Sequence, residues 1–249
     1  MALHPLAVRF AEVADAYERG RPGYSAEAIA QIAAKLGLSA GSAVLDLAAG
    51  TGKLTRGLLA YGLDVTAVEP QAPLRELLAG VVGAERALDG TAEAIPLADA
   101  TMAAVTVADA FHWFEAAAAL PEIARVLEPG GSLAVLITYP DWSGASWAHE
   151  LGSMLAGARP EHPHFNGPPW QQAVRASGLW QEPSEIVVAS PQPIDASRIV
   201  DYLASFSWVA AMAAEDRQAF LSRGRELIET GSAPAEMPML ASVGVAKLL

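Results

Sequence analysis

The chain has 249 residues, of which 52% are hydrophobic, and a mean hydropathy of +0.27; these values are typical of a globular protein with a substantial core and exclude a disordered chain. The formal net charge of −12 argues against a nucleic-acid partner, because a phosphate backbone attracts basic surfaces. The absence of cysteine excludes disulfides and thiolate ligands, and no apolar run reaches the roughly 18 residues that span a membrane.

The first part of the chain alternates helices and strands. Apolar residues at helical spacing predict an amphipathic helix over residues 6–18, and Ser25 predicts the N-cap of a second helix that ends at Gly37. This alternation indicates βαβ units and a parallel sheet covered by helices on both faces. Strands are predicted at 43–48, 64–70, 85–90, 101–109 and 132–139, with helices from the turn at 49–51 to about Gly62, over 72–80 and over 121–128.

After Pro140 the pattern becomes helical, with loops rich in proline, histidine and tryptophan. Helices are predicted within 142–151, 167–179 and, as a pair, 196–230, together with a sixth strand at 185–190 and a β-like segment at 238–249. The sequence therefore predicts an α/β fold with a Rossmann-like, doubly wound, mostly parallel seven-stranded sheet. We expect residues 1–139 to form the nucleotide-binding core, and residues 140–249 to form a helical cap for the substrate plus the last strands of the sheet.

The segment VLDLAAGTGKLTRGL (44–58) reads as strand, tight turn and helix, which is typical of a nucleotide site. A phosphate-binding P-loop is excluded, since Leu47 replaces its first glycine and Leu54 replaces the hydroxyl residue that binds Mg²⁺. The dinucleotide fingerprint fits poorly, because no third glycine follows Gly50 and Gly52. Glu69 stands about 20 residues after Gly50, the spacing of a ribose-binding carboxylate, and so indicates adenosine without choosing between cofactors.

The turn DLAAGTG (46–52) resembles motif I of the class I S-adenosylmethionine-dependent methyltransferases, D/E-x-G-x-G-x-G, with Ala48 at the first glycine. We treat Ala48 as a mild departure, because a methyl group fits there unless φ is positive. Later segments also resemble the family in order, and YERGRPGY (17–24) with HWF narrows the resemblance to methyltransferase type 11 proteins, a subgroup that includes trans-aconitate methyltransferase-like proteins. These later segments are VEP (68–70), DGTAEAIPL (89–97), VADAFHWF (107–114) and RVLEPGGSLAVL (125–136).

The resemblance implies S-adenosylmethionine as the cofactor and S-adenosylhomocysteine as its product. It implies that Asp46 attracts the α-ammonium group of the cofactor and that Glu69 accepts hydrogen bonds from the ribose. Arg21 is expected to contact the cofactor carboxylate or an anionic acceptor, with a surface ion pair to a nearby acid as the alternative. Thr91 replaces the family's usual adenine-binding aspartate. The predicted cofactor-binding set is Arg21, Asp46, Ala48, Ala49, Gly50, Thr51, Gly52, Glu69, Pro70, Gln71, Thr91, Ala92, Glu93, Ala108, Asp109 and Phe111.

The implied function is in-line methyl transfer to oxygen, nitrogen or carbon of a small-molecule acceptor. His112 follows the fourth strand, where the acceptor would lie, and is the predicted catalytic base, with a structural role as the alternative. Tyr17, Trp113 and Tyr139 are the predicted acceptor contacts, although Tyr17 also suits a core position. A nicotinamide-dependent oxidoreductase and a non-catalytic S-adenosylmethionine-binding protein remain the alternatives.

No metal site is expected, because His162 and His164 lack a third ligand at suitable spacing. Tryptophans 142, 147, 170, 180 and 208 are expected either to line an apolar pocket or to hold the cap on the sheet. The start of the sequence lacks the pattern of a signal peptide. We therefore expect a cytoplasmic monomer or homodimer that acts on a small molecule and has neither a nucleic-acid nor a membrane partner.

Overall fold

The computed structural model describes residues 4–142, 146–158, 167–193, 195–230 and 236–249. Its main sheet has seven strands in the order β3-β2-β1-β4-β5-β9-β6; β9 runs antiparallel to both of its neighbours and the other pairs are parallel. The predicted mostly parallel, seven-stranded α/β sheet is confirmed. The strands are β1 (Ala43–Leu47), β2 (Asp64–Val68), β3 (Ala87–Leu88), β4 (Met102–Ala108), β5 (Leu127–Pro140), β6 (Ser184–Ala189), β7 (Gln192–Pro193), β8 (Glu236–Met237) and β9 (Met239–Lys247), of which β7 and β8 form a separate pair.

Helices flank this sheet and extend the chain beyond it. The second predicted helix, now α3, begins and ends as its sequence indicates, because Ser25 Oγ accepts a hydrogen bond from Ala28 N and Gly37 closes it with φ +68°. Across the described part of the chain, no helix is long and apolar enough to cross a membrane. The helices are α1 (Pro5–Val8), α2 (Ala14–Gly20), α3 (Ala26–Leu36), α4 (Lys53–Ala60), α5 (Ala72–Val82), α6 (Ala116–Val126), α7 (Ser146–Ala158), α8 (Trp170–Ser177), α9 (Ala196–Ala204), α10 (Ser207–Ala210) and α11 (Ala214–Thr230), with 3₁₀ turns at Arg9–Val13 and Phe111–Trp113.

Successive residues of the central strands alternate between two apolar cores. Leu45 and Val105 pack towards Ile123 of α6, whereas their neighbours Val44 and Ala104 pack towards α3 and α4 on the opposite face. Each large aliphatic side chain buried in this way contributes about 1.5–3 kcal/mol. A third cluster joins α7, α9 and α11, with Trp147, Leu151, Leu203 and Leu227 among its buried members. The sheet is therefore covered on both faces, as predicted.

Four predicted elements differ from those observed. The pair of helices expected over 196–230 is three helices, α9, α10 and α11. The single helix expected over 6–18 is divided into α1, a 3₁₀ turn and α2, because Val13 leaves the helical region at φ −121°, ψ 20°. Helix α6 begins five residues before Pro121, since the alanines at 116–119 are strong helix formers. Strand β5 extends back to Leu127 through an irregularity at Gly130, whose φ is +75°.

Candidate functional site

A cleft of about 410 Å³ lies where the carboxyl ends of β1, β2 and β4 meet, and we call it the strand-end cleft. The chain runs outward from β1 to β2 and β3 and then returns to β4 on the other side of β1. Open α/β sheets bind ligands at such a switch point. Its walls are His4, Ala7, Phe10, Tyr17, Leu47, Ala48, Gly50, Glu69, Pro70, Gln71, Leu74, Gly90, Thr91, Ala92, Glu93, Ala108, Asp109, Ala110, His112, Trp113, Phe114 and Glu115.

The turn after β1 places three alternate positions, 48, 50 and 52, in the left-handed region of backbone space. Gly50 and Gly52 have φ +59° and +85°, and Ala48 has φ +56°. The expectation that alanine at 48 is a mild departure is therefore wrong. A residue with a Cβ is strained in this conformation, which glycine adopts freely.

Glu69 is held rigidly at the end of β2. Gly50 N donates to Glu69 Oε2 at 3.0 Å, and Gln71 N donates to Glu69 Oε1 at 2.9 Å. Arg75, which sequence reasoning missed, donates through Nη1 to the carbonyl oxygens of Glu69 and Pro70 at 2.7 and 3.0 Å. Burial raises the pKa of Glu69 to about 7, against the opposing effect of the two backbone donors. The carboxylate is thus oriented into the cleft before any ligand binds.

Asp46 is fully buried beneath the same turn. Its two carboxylate oxygens accept hydrogen bonds from Thr55 Oγ1 at 2.6 Å and Thr106 Oγ1 at 3.2 Å. Burial raises the pKa of Asp46 to about 6. Asp46 also lines a small cavity of about 30 Å³ together with Arg21 and Lys53, and this small cavity shares Tyr17, Ala48, Ala108 and Asp109 with the strand-end cleft.

A second pocket of about 320 Å³, the aromatic pocket, lies between the sheet and the helices beyond residue 140. Its aromatic walls are Phe10, Tyr17, Trp113, Tyr139, Trp142, Tyr202, Phe206 and Trp208, and its polar walls include Arg21, Asp109, His112 and Thr138. Of the five tryptophans considered from the sequence, 142 and 208 line this pocket, whereas 147, 170 and 180 are buried in the apolar clusters.

Five residues line both the strand-end cleft and the aromatic pocket, and we call them the junction residues: Phe10, Tyr17, Asp109, His112 and Trp113. Asp109 is fixed there because it accepts hydrogen bonds from the backbone N and the hydroxyl of Thr138 on the neighbouring strand. The half-buried His112 ring lies 4.5 Å from the Trp113 ring, and burial raises the pKa of Tyr17 to about 12. Two binding spaces therefore meet at a fixed carboxylate, an imidazole and a protonated phenol.

Arg21 forms no ion pair with Glu12, Asp15 or Glu18, the nearby acids that its surface alternative requires. Its Nε donates to Ser205 Oγ at 2.8 Å, and its guanidinium carbon lies 4.3 Å from the ring centroid of Phe206 and 5.5 Å from those of Tyr17 and Tyr202. Within the described ranges, no carboxylate forms an ion pair with Arg21. Arg21 lines the aromatic pocket and the small cavity, not the strand-end cleft.

The structure brings most of the predicted site residues together, but three of them, Thr51, Gly52 and Phe111, line neither the strand-end cleft, the small cavity nor the aromatic pocket. Thr51 and Gly52 are buried under the turn, where a Cβ on Gly52 would lie 3.0 Å from Leu78 Cδ1 and would disturb the packing of α4 on α5. Phe111 packs into the core, with its ring centroid 6.4 Å from that of Trp170. Ala49 lines the small cavity and Tyr139 the aromatic pocket.

The sequence-based expectation of no metal site depends on the histidine pair at 162 and 164. Both histidines lie outside the described residues. In the ranges that are described, no group of three or more histidine, aspartate or glutamate side chains is arranged to hold a metal ion.

Comparison with known proteins identifies the family. The sequence profile of the methyltransferase domain matches residues 45–135. An uncharacterized methyltransferase of Mycobacterium tuberculosis is 36% identical to this chain, over 95% of this chain and 92% of its own length. An uncharacterized methyltransferase of Schizosaccharomyces pombe is 27% identical, over 88% and 86%.

Solved structures share the fold. A proposed type II methyltransferase from Anaeromyxobacter dehalogenans superimposes with a TM-score of 0.60 at 20% identity, over 92% of this chain and 96% of its own. A Haemonchus contortus phosphoethanolamine N-methyltransferase, solved with phosphomonomethylethanolamine and S-adenosylhomocysteine, has a TM-score of 0.52 at 13% identity, over 93% of this chain and 56% of its own. These structures show the fold, whereas the methyltransferase profile and the 36% identical relative show that the chain belongs to the class I S-adenosylmethionine-dependent methyltransferases.

Proposed function

We propose that this methyltransferase transfers the methyl group of S-adenosylmethionine to a small-molecule acceptor held in the aromatic pocket. The observation that carries the proposal is the sharing of Phe10, Tyr17, Asp109, His112 and Trp113 by two cavities of about 410 and 320 Å³. A methyl donor in one cavity and an acceptor in the other would meet at these junction residues. The cofactor, when bound, supplies a methyl group already activated by a sulfonium.

The strand-end cleft suits an adenosine. Glu69 presents a carboxylate that two backbone amides already orient, and ribose hydroxyls are donors of the kind it accepts. Gln71 donates through Nε2 to Ala7 O at 3.0 Å, which leaves Gln71 Oε1 buried and, in the part of the chain that is described, without a donor. Because a buried acceptor costs free energy until it is paired, this oxygen fits a ligand N–H such as the adenine amino group.

The remaining predicted contacts extend on both sides of Glu69. Thr91 and Ala94 exchange backbone hydrogen bonds of 3.4 and 3.2 Å, which fix the loop that places Ala92 on the wall of the cleft. At the other end, Asp46 lines the small cavity, where its charge would favour the cofactor's ammonium group. Its two hydroxyl donors also make Asp46 an anchor of the turn itself.

The chain's own contribution to the reaction is orientation and the exclusion of water. Holding two reactants in line accounts for roughly 7–11 kcal/mol of a barrier, so a strong base is optional for a weakly basic acceptor such as a carboxylate. For an acceptor that must lose a proton, His112 is the junction residue whose imidazole can accept it. Asp109 and Tyr17 complete the polar part of the junction. The proposal leaves open whether the methylated atom is oxygen, nitrogen or carbon. It also includes a cytoplasmic location.

The first test compares binding of S-adenosylmethionine, S-adenosylhomocysteine, NAD and NADP by calorimetric titration. We expect only the two sulfur nucleotides to bind at micromolar concentration. In Glu69→Gln, their affinity should fall roughly 10- to 100-fold, since a hydrogen bond to a charged group is worth about 1.5–3 kcal/mol. Glu128→Gln, a change of the same kind at an exposed position, should bind as the wild type does. Affinity within a factor of two in Glu69→Gln, or selective binding of NAD, contradicts the proposed cleft.

A second test concerns the base. Transfer of a labelled methyl group to a panel of phenols, amines and carboxylic acids identifies an acceptor, and turnover is then measured against pH for wild type and His112→Ala. We expect the variant to lose the limb of the profile that reports an imidazole when the acceptor is a phenol. Unchanged rates at every pH eliminate His112 as the base. Cofactor binding without any labelled product would support the non-catalytic alternative.

A further inference from the structure

The aromatic pocket combines an apolar lining with a single arginine. In the described part of its wall, Arg21 is the one lysine or arginine, and the surrounding surface is made mostly of aromatic rings. An aromatic lining selects for a flat apolar body, and 320 Å³ limits that body to a small molecule. The rings alone do not select a charge, so the charged side chains of the wall, Arg21 and Asp109, decide what polar group the ligand carries.

Arg21 is held so that part of its donor fork stays available. Ser205 accepts from Nε, and the rings of Tyr17, Tyr202 and Phe206 surround the guanidinium. The ring faces interact with the positive charge, and no hydrogen bond from Nη1 or Nη2 is present among the described residues. A guanidinium that is positioned yet lacks a carboxylate partner is suited to bind one from a ligand in a two-point contact.

From these observations we propose that the acceptor is a small, flat, apolar molecule carrying one carboxylate, and that Arg21 is the residue that selects it. A monoanion is favoured over a phosphate dianion because Asp109, which lines the same pocket, repels each added negative charge. The apolar body would lie against Trp142 and Trp208. The inference rests on the proposed function, since only then is the aromatic pocket an acceptor site.

The competing assignment gives Arg21 to the carboxylate of the cofactor. Three rings surround the guanidinium. Two of them, those of Tyr202 and Phe206, line the aromatic pocket but line neither the strand-end cleft nor the small cavity. Arg21 lines the small cavity beside Asp46 but does not line the strand-end cleft. The guanidinium is thus positioned mainly by the acceptor side, and binding measurements separate the two assignments.

The experiment uses 2-naphthoate and 2-naphthamide, which share an aromatic body and differ in charge. Their binding is measured by calorimetry in the presence of saturating S-adenosylhomocysteine for wild type, Arg21→Met and Arg19→Met. Arg19 leads the same turn but is exposed and pairs with Asp201, so its variant controls for the loss of one positive charge. We expect wild type and Arg19→Met to prefer naphthoate at least tenfold, and Arg21→Met to lose that preference while its affinity for S-adenosylhomocysteine stays within twofold.

Two results would overturn the proposal. Equal binding of naphthoate and naphthamide to the wild type would show that the aromatic pocket does not select a carboxylate. A tenfold loss of S-adenosylhomocysteine affinity in Arg21→Met assigns the arginine to the cofactor instead. If Arg21→Met does not fold, Arg21→Lys replaces it, and the loss of the planar fork should still reduce the preference. Failure of the wild type to bind S-adenosylhomocysteine at all would be a failure of the proposed function, which this design reports separately.

Discussion

Replacing Ala48 with glycine is expected to stabilise the protein, although it removes a methyl group. Ala48 has φ +56°, and the left-handed region costs an L-residue roughly 1–2 kcal/mol that glycine does not incur. The greater freedom of glycine in the unfolded chain offsets about 0.4–1 kcal/mol of this gain. The net increase in the free energy of unfolding is about 0.5–1 kcal/mol, which for a chain of this size raises Tm by about 1–4 °C.

Two other alanines, Ala100 and Ala49, provide matched controls in the same thermal unfolding assay. Ala100 also has a positive φ, +53°, but is exposed outside the site, so Ala100→Gly should give a similar gain in Tm without altering cofactor affinity. Ala49 does not have a positive φ, so Ala49→Gly should lower the free energy of unfolding by about 0.4–1 kcal/mol. A fall in Tm for Ala48→Gly equal to that for Ala49→Gly would refute the reasoning from backbone strain.

Two further predictions concern the cleft and the position of Arg21. Because the folded-state pKa of Glu69 is raised to about 7 and that of Asp46 to about 6, the folded protein binds protons more readily than the unfolded chain below pH 7. Lowering the pH from 8 to 6 should therefore increase the free energy of unfolding of the cofactor-free protein, as measured by urea denaturation. The same change in pH should weaken the binding of S-adenosylhomocysteine. Both effects should be smaller in Glu69→Gln. A Cβ on Gly20 would lie 2.2 Å from Tyr202 N, so Gly20→Ala should destabilise the protein by about 1–3 kcal/mol and weaken naphthoate binding more than S-adenosylhomocysteine binding. Gly23→Ala, with nothing within 4 Å of its new Cβ and no positive φ, should instead raise the free energy of unfolding by about 0.4–1 kcal/mol, and equal losses in both variants would contradict the close-packing argument.

Local patterns were sufficient for the sheet and for the part of the site built on strand ends. The strands are predicted from apolar runs, and the ribose site is predicted from the spacing between Gly50 and Glu69. Both signals come from residues that are close in sequence, and Gly50 and Glu69 both line the strand-end cleft. The φ of Ala48 was not predictable in this way, because the closing of the turn imposes it against the preference of the residue. Arg75 likewise gives no local signal, since its role consists of hydrogen bonds to carbonyl oxygens.

The aromatic pocket was the least predictable part because its walls are distant in sequence. Arg21 and Ser205 are separated by 184 positions, and only the packing of α2 on α9 brings them to 2.8 Å. An arginine that follows a helix rich in acids reads as a surface ion-pair partner, whereas the folded chain surrounds it with rings. Phe111 differs in the opposite direction. Its position in the sequence predicts a contact with the cofactor, whereas its side chain packs in the apolar core.

The sharing of Phe10 and Tyr17 by both cavities has a consequence for the order of events in a catalytic cycle. The two rings lie in edge-to-face contact, 5.8 Å apart, on the N-terminal segment that covers the strand-end cleft. A ligand that shifts either ring in one cavity changes the wall of the other, and thermodynamic linkage makes that effect reciprocal. The factor by which an occupied acceptor pocket changes the affinity for the spent cofactor is the factor by which the spent cofactor changes the affinity for the next acceptor.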